Sequence, residues 1–207
     1  REEENPRAKL MAYARNDKLF ADGADQAQLA KQVRYVIGGS DEVAKTFRVM
    51  RTPVADPSRE TWNEFLAARP EVTVESVGAF RGHLVFEERD RGLVQIRVHD
   101  FATGQQHRVA FDEPVFIVDV GGNAEFDTAT VRFTYESLVT PGSVYDYDML
   151  TRQRELKKRM PVLGGYDPAQ YACERLFAKA ADGVEVPISL VYKRGLVRDG
   201  RAPMLLY

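Results

Sequence analysis

Cysteine is almost missing from this sequence: Cys173 is the single one in 207 residues. An internal disulfide framework is therefore excluded, and a reducing, cytoplasmic setting is expected, with Cys173 a free buried thiol. Charge of one sign is missing too. The 29 Lys and Arg balance 31 Asp and Glu to a formal net charge of -2, so neither nucleic acid nor an anionic membrane is expected as the main partner. No apolar run approaches the roughly 18–20 residues that cross a bilayer, so no membrane is expected. The N-terminus shows no basic start, apolar middle and small-residue cleavage site of a signal peptide.

Catalytic signatures are equally scarce. No glycine-rich phosphate loop is present. A serine nucleophile on a strand-to-helix turn needs glycine on both sides, as in Gly-x-Ser-x-Gly. The nearest match, Gly38-Gly39-Ser40-Asp41-Glu42, lacks the trailing glycine and lies between two β-type runs, so Ser40 reads as a turn residue. His83, His99 and His107 fall in one stretch without Cys-His or His-His zinc spacing, and read as strand or surface histidines. Asp146 and Asp148 flank Tyr147 and share one strand face. Paired carboxylates can act as acid and base, but on an alternating polar face they read as solvated or blade-closing groups. The basic run Arg152 to Arg159, interrupted by Glu155, reads as an exposed strand. From the residues alone no catalytic, cofactor-binding or metal-ligating position is assigned, and no cofactor is expected.

What the sequence does have is short alternating runs bounded by turn residues. Residues 1–32 are polar and irregular, with at most a weak helix over Asp17 to Gln32. Then Val33–Ile37, Thr46–Met50, Val72–Val77, His83–Glu88, Leu93–Asp100, Gln106–Phe111, Val115–Val120, Val131–Tyr135, Ser143–Asp148 and Gln153–Leu156 are expected strands. Asp56-Pro57 opens a helical turn that Trp62, Phe65 and Leu66 pack against them. A shift of about 48 residues lays Leu84-Val85-Phe86 on Arg132-Phe133-Thr134, and Asp100 with Thr103 on Asp148 with Thr151. A shift of about 49 lays Tyr35-Val36-Ile37 on Leu84-Val85-Phe86. Units of that length holding several short strands point to β-propeller blades; a stacked sandwich of hairpins is the alternative.

After Met160 the pattern changes. Pro161, Gly164-Gly165 and Asp167-Pro168 resemble a linker. Tyr171–Lys179 and Val184–Tyr192 follow as two alternating runs joined at Asp182-Gly183, a hairpin signal. Pro187 confines the second run to an edge or bulge. Pro203 to Tyr207 reads as a strand buried on both faces, which suggests the start of an α/β domain. The chain begins at Arg1 without methionine and stops on that apolar run, so it is expected to be truncated; a short C-terminal strand ending there is the alternative.

Several segments carry a resemblance. These are Phe47-Arg48-Val49-Met50-Arg51-Thr52-Pro53, His83-Leu84-Val85 with Glu87-Glu88, and Thr140-Pro141-Gly142-Ser143-Val144-Tyr145-Asp146-Tyr147-Asp148. Further on come Gly164-Gly165-Tyr166-Asp167-Pro168, Tyr171, Glu174-Arg175, Asp182-Gly183, Val186-Pro187-Ile188-Ser189-Leu190-Val191-Tyr192 and Leu205-Leu206-Tyr207. From Phe47 to Tyr207 the chain resembles the prolyl oligopeptidase family of serine peptidases, most of all its oligopeptidase B (protease II) branch. Residues 1–32 do not share the likeness and are left as an unassigned polar segment or a divergent blade.

The resemblance implies a mainly β fold: the last blades of a β-propeller over 33–160, then a linker and the first strands of an α/β-hydrolase domain over 161–207. In that family a seven-bladed propeller caps the hydrolase domain and admits only short peptides. The oxyanion-hole tyrosine would follow Tyr207 in a Gly-Tyr-Gly segment, with serine, aspartate and histidine farther on. None of them maps to a position here. The implied function is that of a serine oligopeptidase cleaving short peptides after Lys or Arg, with this piece inactive alone. The alternatives are the prolyl-specific branch and a non-catalytic, propeller-derived binding module. A partial ring also leaves open sheet edges, through which self-association is expected.

Overall fold

The computed structural model describes residues 34–38 (backbone alone), 48–52, 56 and 58–206. The weak helix expected over Asp17 to Gln32 and the turn carrying Ser40 lie outside the described residues.

Alternating runs that follow one another along the chain pair with their sequence neighbours and assemble as antiparallel meanders. Strands β1 (Arg34–Gly38), β2 (Arg48–Thr52) and β3 (Asn63–Leu66) pair in that order. Strands β4 (Val72–Ala79), β5 (His83–Asp90), β6 (Leu93–Asp100) and β7 (Gln106–Arg108) form a four-stranded sheet, also in chain order. A second four-stranded sheet repeats this plan with β8 (Phe116–Asp119), β9 (Thr130–Ser137), β10 (Ser143–Asp148) and β11 (Arg154–Arg159). Finally β12 (Tyr171–Lys179) and β13 (Glu185–Lys193) make a two-stranded hairpin.

The middle sheet is buried on both faces, which makes it a layer in a stack. Leu84 and Phe86 of β5 pack with Val49, Val74, Phe65 and Leu66 on the side of the first sheet. Val85, Ile96 and Val98 pack with Val131, Phe133 and Tyr147 on the side of the third. That two-sided burial explains the run His83-Leu84-Val85-Phe86, too apolar for a half-exposed strand. Phe111 strengthens the second layer: its ring lies 4.7 Å from Phe116 and 5.1 Å from Tyr135, centroid to centroid. The far face of the third sheet is polar, with Arg132, Thr134 and Glu136 exposed along β9.

Both four-stranded sheets close their third strand with one device. Asp100 Oδ1 accepts from Ala102 N at 2.7 Å, and Asp148 Oδ1 accepts from Leu150 N at 2.9 Å and Thr151 N at 2.8 Å. The repeat is real, but its register differs by one residue from the expected overlay. His83 pairs with Asp100 and Thr130 with Asp148, so β5 overlays β9 at a shift of 47 while the third strands overlay at 48. The residues facing the preceding sheet are therefore Leu84 and Phe86 against Val131 and Phe133. The expected placement of Leu84 on Arg132 would set a core residue on a solvent residue, since a one-residue slip exchanges the two faces. The extra residue is absorbed in the longer β9–β10 loop.

Other boundaries move for local reasons. Trp62 does not simply follow a helical turn. A single 3-10 turn, Arg59–Thr61, leads into β3, which adds an edge to β2. Asp56 accepts from Ser58 N at 3.1 Å, as its capping role requires. The β5–β6 loop is only Arg91-Gly92, both at positive φ (50° and 85°), the conformation of a two-residue type I′ hairpin. The Asp182-Gly183 hairpin forms as expected, with Gly183 at φ 88°. Pro203 to Leu206, expected as a strand, forms none. Strands exist only by pairing, and Met204, Leu205 and Leu206 stand largely exposed. No α-helix occurs among the described residues.

Candidate functional site

The residues singled out for chemistry do not converge. His83 and His99 point to opposite faces of the middle sheet, because Leu84 pairs with His99 and His83 with Asp100. His99 sits edge-on to Phe65 at 5.0 Å and to Phe101 at 5.5 Å, with Gln106 Nε2 3.3 Å from its Nδ1. His107 faces the next sheet, its Nε2 2.8 Å from the Tyr147 hydroxyl. Burial pushes both rings below the ordinary histidine pKa, and the Arg152 charge adds to this at His107. Neutral rings in apolar joints are packing groups. His83 is 4% exposed, and neither ring nitrogen has a protein partner.

Asp146 and Asp148 occupy one strand face, yet each is engaged separately. Arg132 grips Asp146 with two bonds, Nε at 2.7 Å and Nη2 at 2.8 Å, and holds its pKa down. Asp148 is held down by the turn N–H groups, Thr151 first. Both are therefore structural anions, unsuited to share a proton. Strand β11, carrying Arg154, Lys157, Lys158 and Arg159, is exposed along its whole length. Cys173 is a half-buried free thiol whose pKa is raised by burial. Ser40 lies outside the described residues. Among the described residues no cluster of three or more His, Cys, Asp or Glu side chains could hold a metal ion. No helix of the described residues is long and apolar enough to cross a membrane.

Carboxylates that were not singled out by function do the joining. Glu87 and Glu88 are consecutive in β5 and so point to opposite faces. Glu87 Oε1 accepts at 2.7 Å from Val120 N, just past the end of β8, and its other oxygen accepts from Ser76. Glu88 is fully buried on the other face, between Arg69 and Arg97, with Arg97 Nη2 at 2.7 Å. Its signal was present in the sequence: a charge at 88 continues the apolar register of 84 and 86. Glu113 accepts from Tyr135 at 2.5 Å and Thr140 at 2.7 Å, tying the loop before β8 to β9 and to the loop that follows it.

One cleft of about 250 Å³ opens beside β6 and β7, lined by Arg97, Gln106, His107 and Arg108. Its arginines are already paired, Arg97 with Glu88 and Arg108 with Asp90 at 2.6 Å. The cleft is thus electrically satisfied and holds no nucleophile. The described residues build a stack of sheets and an attached hairpin, with no reacting group at a shared point.

Comparison with known proteins fits this picture. Residues 19–160 match the family described as prolyl oligopeptidase, N-terminal beta-propeller domain, so the match enters the polar segment that the residue pattern left unassigned. Dipeptidyl aminopeptidase BI of Pseudoxanthomonas mexicana is 36% identical over 84% of this chain and 24% of its own length. Protease 2 of Moraxella lacunata is 33% identical over 81% of this chain and 24% of its own. Among solved structures, oligopeptidase B from Trypanosoma brucei, in a closed form with covalently bound antipain, superposes with a TM-score of 0.67 at 28% identity. That superposition covers 80% of this chain and 26% of the other. The chain spans about a quarter of the length of the curated relatives it matches. With stacked four-stranded meanders and this match over most of its length, the chain belongs to the prolyl oligopeptidase family, and its sheets within residues 19–160 belong to that family's N-terminal β-propeller.

Proposed function

We propose that this chain is the closing part of a substrate-gating propeller, followed over 161–207 by the first strands of an α/β-hydrolase domain, in a serine oligopeptidase. The parent enzyme hydrolyses short peptides after Lys or Arg in the cytoplasm. Its serine attacks the scissile carbonyl, its histidine moves the proton, and its aspartate orients the histidine. These three residues and the oxyanion tyrosine are assigned outside residues 1–207.

The observation that carries this reading is the change of architecture at residue 160. Two four-stranded blades of one repeat give way to a hairpin that belongs to neither sheet. Many of the hairpin's apolar side chains, among them Val186, Ile188 and Val191, are exposed. Such a surface suits strands that continue into a larger layered domain. Preference for basic residues is what the resemblance to the oligopeptidase B branch implies, and protease 2 and oligopeptidase B stand among the relatives. The name dipeptidyl aminopeptidase for another relative specifies a different cut, so the choice of bond must be measured.

The test is hydrolysis by the protein made from the whole reading frame. Fluorogenic peptides ending in Arg, Lys or Pro, and dipeptidyl amides, would be compared by kcat/KM. Arg and Lys substrates are expected to lead by at least about tenfold, a transition-state difference on the order of 1.4 kcal/mol. Leading turnover of the Pro substrate would move the protein to the prolyl-specific branch. No hydrolysis of any peptide would favour the non-catalytic binding module.

A further inference from the structure

A two-residue hairpin turn of type I′ needs positive φ at both central positions, which Asn, Asp and Gly accept and longer side chains resist. The β5–β6 turn has Gly92 in the second position and Arg91 in the first, at φ 50°. Strain of this kind persists where the surroundings use it. Here the turn touches the β12–β13 hairpin. The Arg91 guanidinium lies 4.7 Å from the centre of the Phe177 ring and 2.9 Å from the Glu185 carboxylate. The Arg91 carbonyl accepts from the Arg175 guanidinium, which itself lies 5.4 Å from the same ring. The turn backbone is equally close: a Cβ on Gly92 would stand 3.4 Å from Arg175 Nη2 and 3.6 Å from Pro187 Cγ.

The four hairpin residues share one face. Phe177 pairs with Pro187, Lys179 pairs with Glu185, and Arg175 is two positions from Phe177. A two-stranded hairpin is marginal alone in water, so its order depends on what it leans against. Arg91 and Glu185 are more than half exposed, and salt weakens a pair in that setting.

We propose that Arg91 is kept in its left-handed turn as a clasp: it docks the 171–193 hairpin onto the tip of the middle blade, and salt releases it. The clasp stands on these contacts whether or not the hairpin begins a catalytic domain. If it does, the clasp joins the two domains at the blade tip.

The test is amide hydrogen exchange on the 207-residue chain at low and high salt. Arg91→Asn suits the turn better than arginine and removes the clasp. Exchange in β12 and β13 is expected to accelerate by about tenfold at low salt, the combined size of one exposed ion pair and one cation–π contact. Exchange in β5 and β6 should stay level or slow. High salt should raise hairpin exchange in the parent chain towards the variant. The exchanged pair Arg91→Glu with Glu185→Arg should recover part of the protection that either change alone loses. Unchanged hairpin exchange in Arg91→Asn would overturn the proposal. Acceleration in the blade and hairpin together would also overturn it, since Arg91 would then support only its own sheet.

Discussion

Arg152 sits at φ 63° in the turn position that Gly104 fills at φ 69° one blade earlier. In both turns the aspartate four residues before, Asp100 or Asp148, caps the bend, and its carbonyl accepts from the N–H of Gly104 or Arg152. The geometry is shared and only one blade has the residue that adopts it freely. Arg152→Gly should therefore raise stability by about 1 kcal/mol, and Gly104→Arg should lower it by a similar amount. Urea unfolding of both variants measures this. A loss of stability in Arg152→Gly would mean that the arginine side chain outweighs its backbone strain.

Glu88 tests the joint between the first and middle blades. Its carboxylate is fully buried between two arginines, so Glu88→Ala should cost about 3–5 kcal/mol by leaving Arg69 and Arg97 uncompensated. Replacing Glu88 by Leu together with Arg97 by Met should cost less than Glu88→Ala alone, because only the more exposed Arg69 is then left without its carboxylate. Thermal melts of the two variants give the comparison. A larger loss in the double variant would show that the ion pair itself, and not its desolvation, holds the joint.

Acid should weaken the fold in two windows. His99 and His107 have folded-state pKa values below their ordinary 6.5, so they stabilise in the neutral form. Their contribution is whole above pH 6.5 and is lost as pH falls through the folded pKa. Asp146 and Asp148 lie below 3.8 and stabilise as anions, so their contribution holds above 3.8 and disappears as pH falls further. The urea midpoint should decline from pH 7.5 towards 5.5 and again below 3.8. Replacing His99 and His107 with Gln should flatten the first decline only. A midpoint that rises between pH 7.5 and 5.5 would contradict the assignment.

Uncovered apolar residues should drive self-association. Leu163, Met204, Leu205 and Leu206 are each more than three-quarters exposed, and patches of this kind seek partners. The edge strand β11 is lined with Arg and Lys, which discourages edge pairing. Sedimentation velocity should show association that grows with concentration, and Leu205→Lys with Leu206→Lys should reduce it. Association unchanged by those substitutions would point back to the sheet edges.

The bounds of β6, β10 and β12 were legible to the residue, since turn residues flank each of these alternating runs. The slip between β5 and β9 was not legible. Both overlays place apolar residues on apolar residues somewhere, and only pairing shows that Leu84 belongs with Val131. Strand β3 was hidden in Asn63-Glu64-Phe65-Leu66, too short to show a period. Pro203 to Leu206 has a strand's composition, but a strand also needs a neighbour, which no local pattern supplies. The chemistry was legible mainly as scarcity. Asp146 and Asp148 look like an acid–base pair in one dimension, and separate once Arg132 and the turn amides are seen to hold them.

Labelling with a serine-reactive fluorophosphonate locates the nucleophile directly. It would be applied to the 207-residue chain and to the protein made from the whole reading frame. The expected result is a label on the longer protein, at a serine outside residues 1–207, and none on the chain. A label on a serine within 1–207, accompanied by peptide hydrolysis from the chain alone, would place the nucleophile in these residues and contradict its assignment outside them.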